Sequence, residues 1–422
     1  MLLDKLVNNS VNVPFWDQWV YVDLFDKLRH GTLGLKDLWM QHNEHRILFP
    51  KLITLLFAQL TRWNLRAEVL LNFVTASLSF GLLLALAKRT FQTKWPPLLI
   101  FSALSAWLFF SPIQYINWLW GFQLVWFVLI LSVLGTIWLL TQTTITKPLN
   151  LILALATATI ATYSLGNGAI IWLVGLIILL LRKVKRLQLL GWVSAASVVV
   201  ASYLYHFKRP ASGLGLREIV THGSELTGYV MAYLGRNVAT TVQGAMVSGL
   251  VLMVALITAL VFIYKKGKLE RVLSWGGLAL FILITAVLAG ASRLSFGIEH
   301  SMSLSYTTSS ALFIIAVIMI VLYALTLHWP LTRSGANRVV MIALLLGAAA
   351  WPATASFIHN YHKGTALLKD QGGHLKRVQT CLNTAQSAND DCLLLAFPDK
   401  QKVWQKIQTL RELKLGPFAP RP

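Results

Sequence analysis

Long apolar stretches separated by short polar loops dominate the chain from residue 69 to residue 357. A helix needs roughly 20 apolar residues to cross the hydrocarbon core of a bilayer. On that criterion the pattern predicts ten crossings, at 69–87, 96–111, 119–140, 149–163, 167–181, 188–206, 241–264, 272–291, 308–327 and 338–357. We therefore expect an all-α polytopic membrane protein.

Two of these crossings, 149–163 and 167–181, depend on a turn between them. As one helix, this stretch would be about 50 Å long, which is too long for a single pass. The segment Tyr163-Ser-Leu-Gly-Asn-Gly168 between them has the residues of a turn. The sequence therefore predicts two crossings here.

The ends of the chain carry shorter patterns. Residues 14–63 predict an amphipathic helix that begins near Trp19, a short helix after Gly31, and an apolar interfacial helix from Leu52 to Trp63. A charged helix is predicted at 399–413. The chain thus divides into three parts: a loop region with interfacial helices (1–68), a transmembrane domain (69–357) and a soluble tail (358–422).

Composition agrees with this division. Hydrophobic residues make up 56% of the chain and charged residues 13%, against roughly 25% charged residues in a soluble domain. Lipid must therefore cover part of the surface. The net charge of +21 would suggest a nucleic-acid partner in a soluble protein, but no basic soluble module interleaved with aromatic residues is present. We therefore expect no nucleic-acid partner.

The basic residues occupy alternate loops. Loops 88–95, 141–148, 182–187, 265–271 and 328–337 hold Lys88, Arg89, Lys94, Lys147, Arg182, Lys183, Lys185, Arg186, Lys265, Lys266, Lys268, Arg271 and Arg333. The intervening short loops (112–118, 164–166 and 292–307) hold only Arg293. The positive-inside rule then places the first set in the cytoplasm of a bacterial cell, with the protein in the inner (plasma) membrane. Residues 1–68, 207–240 and 358–422 are expected outside.

An N-terminus outside the membrane normally follows an earlier crossing or a signal segment. The first residues do not form an apolar stretch of signal length. We therefore expect either a missing first helix, which we favour, or an N-terminal tail that crosses unaided.

Asp17 lies in the aromatic segment Pro14-Phe-Trp-Asp-Gln-Trp19. A carboxylate at a membrane edge is poorly solvated and therefore suited to act as a general base. An Asp before an amphipathic helix is also typical of a helix N-cap. The sequence leaves both interpretations open.

A second polar cluster follows in Gln41-His-Asn-Glu-His-Arg46. His42, Glu44 and His45 are residue types that bind a divalent metal, and Arg46 can hold a phosphate oxygen. The order differs from the zinc signature His-Glu-x-x-His. The alternative is a solvated loop whose charges pair with each other.

Further cations lie in two predicted outer loops. Arg293, with Glu299 and His300 after it, can meet a lipid phosphate or can extend to the membrane surface without a ligand. The loop 207–240 offers a second cationic cluster, made of Lys208, Arg209 and Arg217.

The two cysteines, Cys381 and Cys392, lie in the same predicted outer segment. An oxidising compartment favours a disulfide between them, and two free thiols are the alternative.

These features together resemble the GT-C superfamily of integral-membrane glycosyltransferases, such as protein mannosyltransferases and lipid A aminoarabinose transferases. The resemblance rests on Asp17 in its aromatic segment, on His42-Asn-Glu-His-Arg46 followed by Pro50, and on the number of crossings and the outer tail. Its motifs cover about the first 60 residues; the remainder agrees only in topology.

The resemblance implies transfer of a sugar from a polyprenyl-phosphate carrier to a glycan, lipid or protein acceptor at the outer face of the membrane. It implies that Asp17 is the base, and that Glu44 with His42 or His45 supports the acceptor or a divalent metal. Arg46 would hold phosphate, and so would Arg293, on physical grounds only. Two departures are the Gln18 that follows Asp17, where many members have a second acid, and the absent first helix.

Two other classes remain as alternatives. A transporter or lipid flippase should carry ionisable residues and broken helices at the centre of its crossings, whereas here the polar groups gather at one face. A non-catalytic scaffold, or a degenerate family member, is the second alternative. Replacement of Asp17 by Asn distinguishes the enzyme from the scaffold.

Overall fold

The computed structural model describes residues 2–92, 95–145, 147–208, 221–328 and 351–420. Helices make up most of these residues, and no β-strand occurs among them. The helices before the first predicted crossing are α1 (Leu2–Asn9), α2 (Val20–Arg29), α3 (Leu35–Trp39) and α4 (Leu48–Thr61). The helices that follow are α5 (Leu65–Phe91), α6 (Trp95–Phe109), α7 (Tyr115–Leu119), α8 (Leu124–Leu140), α9 (Pro148–Thr162), α10 (Ile170–Leu181), α11 (Arg186–Leu204), α12 (Gly223–Gly235), α13 (Val242–Lys265), α14 (Leu273–Arg293), α15 (Thr307–His328), α16 (Trp351–Thr384) and α17 (Lys400–Leu413).

Within the described ranges, seven helices are long and apolar enough to cross a membrane. They are Leu65–Phe91, Pro96–Leu119, Gly121–Leu140, Arg186–Leu204, Val242–Lys265, Leu269–Phe296 and Leu304–His328. Each coincides with one of the ten predicted crossings, so the polytopic helical architecture is confirmed. The predictions at 149–163 and 167–181 fall on the shorter apolar helices α9 and α10. The tenth, 338–357, lies mostly outside the described residues.

The region 207–240 is more than a loop, because it contains the buried helix α12. Small residues let α12 pack closely against α13: a Cβ atom on Gly249 would lie 2.0 Å from the carbonyl oxygen of Met231. A Cβ on Gly235 would likewise meet the oxygen of Ala245 at 2.1 Å. The hydropathy pattern did not predict α12, because its 13 residues are too few for a crossing.

Four of the five basic loops, 88–95, 141–148, 182–187 and 265–271, meet through their described residues at one end of the helix bundle. Arg89, at the end of α5, donates a hydrogen bond to Thr141, at the end of α8. Arg182, after α10, donates to the carbonyl oxygen of Gln142 at 2.8 Å and lies 3.7 Å from the carboxylate of Glu270. Loops that are basic in the sequence therefore also lie close to one another in the structure.

The N-terminal segment and the tail pack together at the opposite end. Nζ of Lys406 on α17 donates to the carbonyl oxygen of Trp19 at 2.6 Å and to Asp23 at 2.8 Å. A disulfide joins Cys381 to Cys392, as the sequence favoured. The charged helix predicted at 399–413 is α17. The tail therefore braces the segment that carries Asp17.

Candidate functional site

Asp17 lies in a single turn of 3₁₀ helix, Trp16–Trp19, which leads into α2. The N-caps are Phe15 for this turn and Trp19 for α2, so the interpretation of Asp17 as a helix N-cap is wrong. Nε1 of Trp120 donates to the carbonyl oxygen of Phe15 at 2.9 Å. The Asp17 side chain is 27% exposed and is therefore available to a ligand.

The polar cluster after α3 forms a tight turn. The backbone N–H of His42 donates to the carbonyl oxygen of His45 at 2.7 Å, and the reciprocal bond measures 2.9 Å. Asn43 has a φ of 48°, in the left-handed region that Asn tolerates better than most residues. The turn thus fixes the two histidines opposite each other.

His42 faces Asp17. Its Nε2 atom lies 3.6 Å from Oδ1 of Asp17. The ring also packs against Phe122, with 5.2 Å between ring centroids. The structure therefore brings the Asp17 carboxylate of the aromatic segment next to the His42 imidazole of the polar cluster.

His45 has a different environment. Its Nδ1 atom accepts the backbone N–H of Gly166 at 3.2 Å, so the neutral ring carries its proton on Nε2. Burial, aided by the nearby His42, lowers the pKa of His45 to about 4. His45 is therefore a neutral hydrogen-bond donor at physiological pH.

Glu44 forms an ion pair with Arg293. This contact joins the first polar cluster to the loop after α14. Both side chains line a cavity of about 710 Å³, which His45 also lines. Two of the predicted first-loop residues, Glu44 and His45, therefore share a cavity with the predicted cation Arg293.

The rest of the cavity wall is of two kinds. Its apolar part comes from α8, α11 and α14, through Trp126, Leu204, Leu288 and Ala289. Its polar part includes Asn167, Tyr233, His300, Ser303, Ser305 and Tyr306.

His300 has a polar partner at the cavity wall. The hydroxyl of Tyr229 lies 3.1 Å from Nδ1 of His300. Burial and the neighbouring Arg293 both lower the pKa of His300. The cavity thus combines an apolar wall with a polar wall that carries the Glu44–Arg293 ion pair.

Arg46 was expected to hold a phosphate, but its side chain is buried against backbone carbonyl groups. Its guanidinium donates to the carbonyl oxygens of Trp39 (2.8 Å), Tyr203 (2.7 Å) and Tyr205. The residue is only 4% exposed and does not line the cavity. These contacts favour a structural role, in which Arg46 fastens the polar cluster to the end of α11, over phosphate binding.

The other residues that the sequence predicted either do not line the cavity or lie outside the residues that the structure describes. Glu299 is exposed. The backbone of Lys208 exchanges two hydrogen bonds with the side chain of Gln41, of 2.9 and 3.0 Å. Arg209 and Arg217 lie outside the described residues. Within the described ranges, no group of three or more His, Cys, Asp or Glu side chains is arranged to hold a metal.

Sequence reasoning missed Glu68, at the start of α5. Its carboxylate is 4% exposed and accepts hydrogen bonds from Nε2 of Gln18 at 2.7 Å and from Nε1 of Trp63 at 2.8 Å. A Cβ atom on Gly121 would lie 2.3 Å from this carboxylate, so glycine is needed there. The sequence shows only an acid in the first turn of a helix, which is an ordinary surface pattern.

Comparisons with protein-family models, with curated proteins and with solved structures found no match for this chain.

Proposed function

We propose that this protein is a membrane glycosyltransferase, which moves a sugar from a polyprenyl-phosphate carrier to an acceptor at the outer face of the membrane. One observation supports this most: the Asp17–His42 pair lies beside an amphiphilic cavity that has Arg293 in its wall. The pair and the cavity are joined by the turn in which His42 and His45 exchange backbone hydrogen bonds.

The donor would occupy the cavity. Its polyprenyl chain would lie along the apolar wall formed by Trp126 and Leu288, which belong to membrane-spanning helices. Its phosphate would take the place of Glu44 beside Arg293, since a guanidinium pairs as well with phosphate as with carboxylate. Since no group of three or more His, Cys, Asp or Glu side chains among the described residues is arranged to hold a metal, the proposed steps are assigned to the side chains of the protein itself.

Transfer would form a bond between the acceptor oxygen and the anomeric carbon and break the bond between that carbon and the phosphate oxygen. Asp17 would take the proton of the acceptor hydroxyl, and His42 would orient the carboxylate. Arg293 would stabilise the negative charge on the departing phosphate. Glu44, once released from Arg293, would be free to support the acceptor, and neutral His45 would donate a hydrogen bond.

Purified protein in reconstituted membranes tests this proposal with radiolabelled polyprenyl-phosphate sugars. We expect transfer by the wild type and a loss of at least about a hundredfold in Asp17→Asn, which removes the base. Asp370→Asn is the matched control, because it replaces the same kind of side chain in the same way at an exposed position of α16.

The outcomes separate the classes. Transfer by Asp17→Asn at the wild-type rate would remove Asp17 from the mechanism and leave Glu44 as the base to test. No transfer from any donor, by folded wild-type protein, would overturn the proposal in favour of a transporter, a flippase or a non-catalytic protein.

A further inference from the structure

A second cavity, the basic groove, lies between α2, α4 and the C-terminal end of α17 with the segment that follows it. Its volume is about 800 Å³. The lining residues that matter here are Phe25, Arg29, Arg62, Glu412 and Lys414. It shares no lining residue with the cavity that holds Glu44 and Arg293.

Three cations converge on the basic groove. Arg29 is the last residue of α2, and Arg62 and Lys414 are the C-caps of α4 and α17. All three side chains are exposed, and none has a hydrogen-bond or ion-pair partner among the described residues. Glu412 is the single acid in the lining, so the groove is strongly cationic.

A cation at a helix C-terminus also offsets the helix dipole, which is the simpler explanation for each of these residues taken alone. That explanation does not require the three helix ends to meet. Here they do, and the backbone holds them together: the N–H of Gly416 donates to the carbonyl oxygen of Arg62 at 2.9 Å. The convergence of three unpaired cations therefore calls for an anion.

The groove also has an apolar side. Phe25 lines the groove and packs against Trp63, with 4.8 Å between ring centroids. Next to it, α4 exposes three leucines at helical spacing: Leu52 is 41% exposed, Leu56 62% and Leu60 75%. An exposed apolar stripe of this kind on a membrane protein contacts lipid chains. Arg62 thus lies at the end of an exposed apolar stripe, and Arg29 and Lys414 line the same groove.

We propose that the basic groove binds the phosphate headgroup of an anionic membrane lipid, whose acyl chains lie along Leu52, Leu56 and Leu60. Charge complementarity supplies the headgroup contact, and the stripe supplies the contact for the chains. An acidic peptide would use the cations but would leave the leucines uncovered, so a lipid fits the surface better. This site does not depend on the proposed transfer reaction.

Native mass spectrometry of the full chain in detergent, titrated with phosphatidylglycerol and with zwitterionic phosphatidylcholine, tests the proposal. We expect the wild type to bind phosphatidylglycerol at least about tenfold more tightly than phosphatidylcholine. The triple variant Arg29→Gln/Arg62→Gln/Lys414→Gln should lose about tenfold to a hundredfold of its phosphatidylglycerol affinity and keep its phosphatidylcholine affinity.

The matched control is Lys369→Gln/Lys376→Gln/Arg377→Gln, which removes three exposed cations from α16. It should keep the wild-type preference. An equal loss in both triple variants would mean that overall charge attracts the lipid, and no loss in the first would mean that the groove is not the site; either result overturns the proposal. If the first triple variant does not fold, Arg29→Gln and Lys414→Gln alone should each lose about threefold or more.

Competition identifies the kind of ligand. Glycerol 3-phosphate carries the headgroup chemistry without chains, and a glutamate-rich peptide carries the charge without phosphate. We expect neither to displace phosphatidylglycerol at comparable concentrations. Displacement by glycerol 3-phosphate would instead indicate a site for a soluble phosphate, and displacement by the peptide would indicate a protein-binding surface; both would contradict a lipid site.

Discussion

Nε2 of Gln18 donates a buried hydrogen bond of 2.7 Å to Oε2 of Glu68, across two segments that are distant in the sequence. The same amide group accepts the backbone N–H of Phe15 through its oxygen, at 3.2 Å. Gln18 therefore ties the turn that holds Asp17 to a buried carboxylate at the start of α5. Directly after Asp17, this chain therefore has a residue that fixes the turn.

Removal of the Glu68 carboxylate should destabilise the protein. In Glu68→Ala the donors of Gln18 and Trp63 lose their buried acceptor, which should cost about 3 kcal/mol and lower the melting temperature by several degrees. Differential scanning fluorimetry in detergent measures this. Glu225→Ala, at an exposed position of α12, is the control and should melt like the wild type. Equal melting of the two variants would contradict the role of Glu68.

Arg46 offers a test between two roles. Lys cannot reach three separate carbonyl groups with the geometry of a guanidinium, so Arg46→Lys should lower the stability by about 2–4 kcal/mol. Arg66→Lys, at an exposed position of α5, should have no effect. A variant of Arg46 that melts like the wild type but binds polyprenyl phosphate more weakly would instead favour the phosphate-binding role that the resemblance implied.

The low pKa of His45, about 4, predicts a specific dependence of stability on pH. Between pH 4 and the ordinary His value of about 6.5, the unfolded chain binds a proton at this position and the folded chain does not. Stability should therefore fall as the pH is lowered from 7 to 4. His45→Gln removes this titration, so its melting temperature should change less over the same range. Parallel profiles for both proteins would show that His45 does not contribute.

The Cys381–Cys392 disulfide closes a short loop of the tail. Its removal in Cys381→Ser/Cys392→Ser should cost about 3 kcal/mol of stability, since the unfolded chain regains the entropy of loop closure. Hydrogen exchange should become faster in the tail and in the Trp16 segment, because the backbone N–H of Trp16 donates to Ala396. A reducing agent should reproduce this in the wild type and do nothing in the double variant. Unchanged exchange at Trp16 after reduction would show that the tail does not brace the Asp17 turn.

The sequence predicted the features that depend on local pattern. Seven crossings follow from apolar stretches of sufficient length, and α17 coincides with the charged helix predicted at 399–413. The disulfide was the expected outcome for two cysteines in one outer segment. The short helix α12 was missed because a hydropathy criterion cannot distinguish a short buried helix from a loop.

The geometry of the site depends on contacts between distant segments, which local pattern does not encode. Sequence reasoning could identify Glu44 and Arg293 separately, but their pairing depends on how α14 packs against the first polar cluster. The same holds for Arg46, which binds the backbone carbonyl oxygens of Tyr203 and Tyr205. Every residue has such an oxygen, so the sequence does not identify these partners. Glu68 was missed for a related reason, because its burial comes from Gly121 and Trp63.

The two backbone hydrogen bonds between His42 and His45 make this turn a rigid coupling. One histidine touches Asp17 and the other forms part of the cavity wall. The turn therefore sets the spacing between the cavity wall and the Asp17 carboxylate through four residues of backbone. A molecule that pressed on His45 from the cavity would act on His42 through the same two hydrogen bonds.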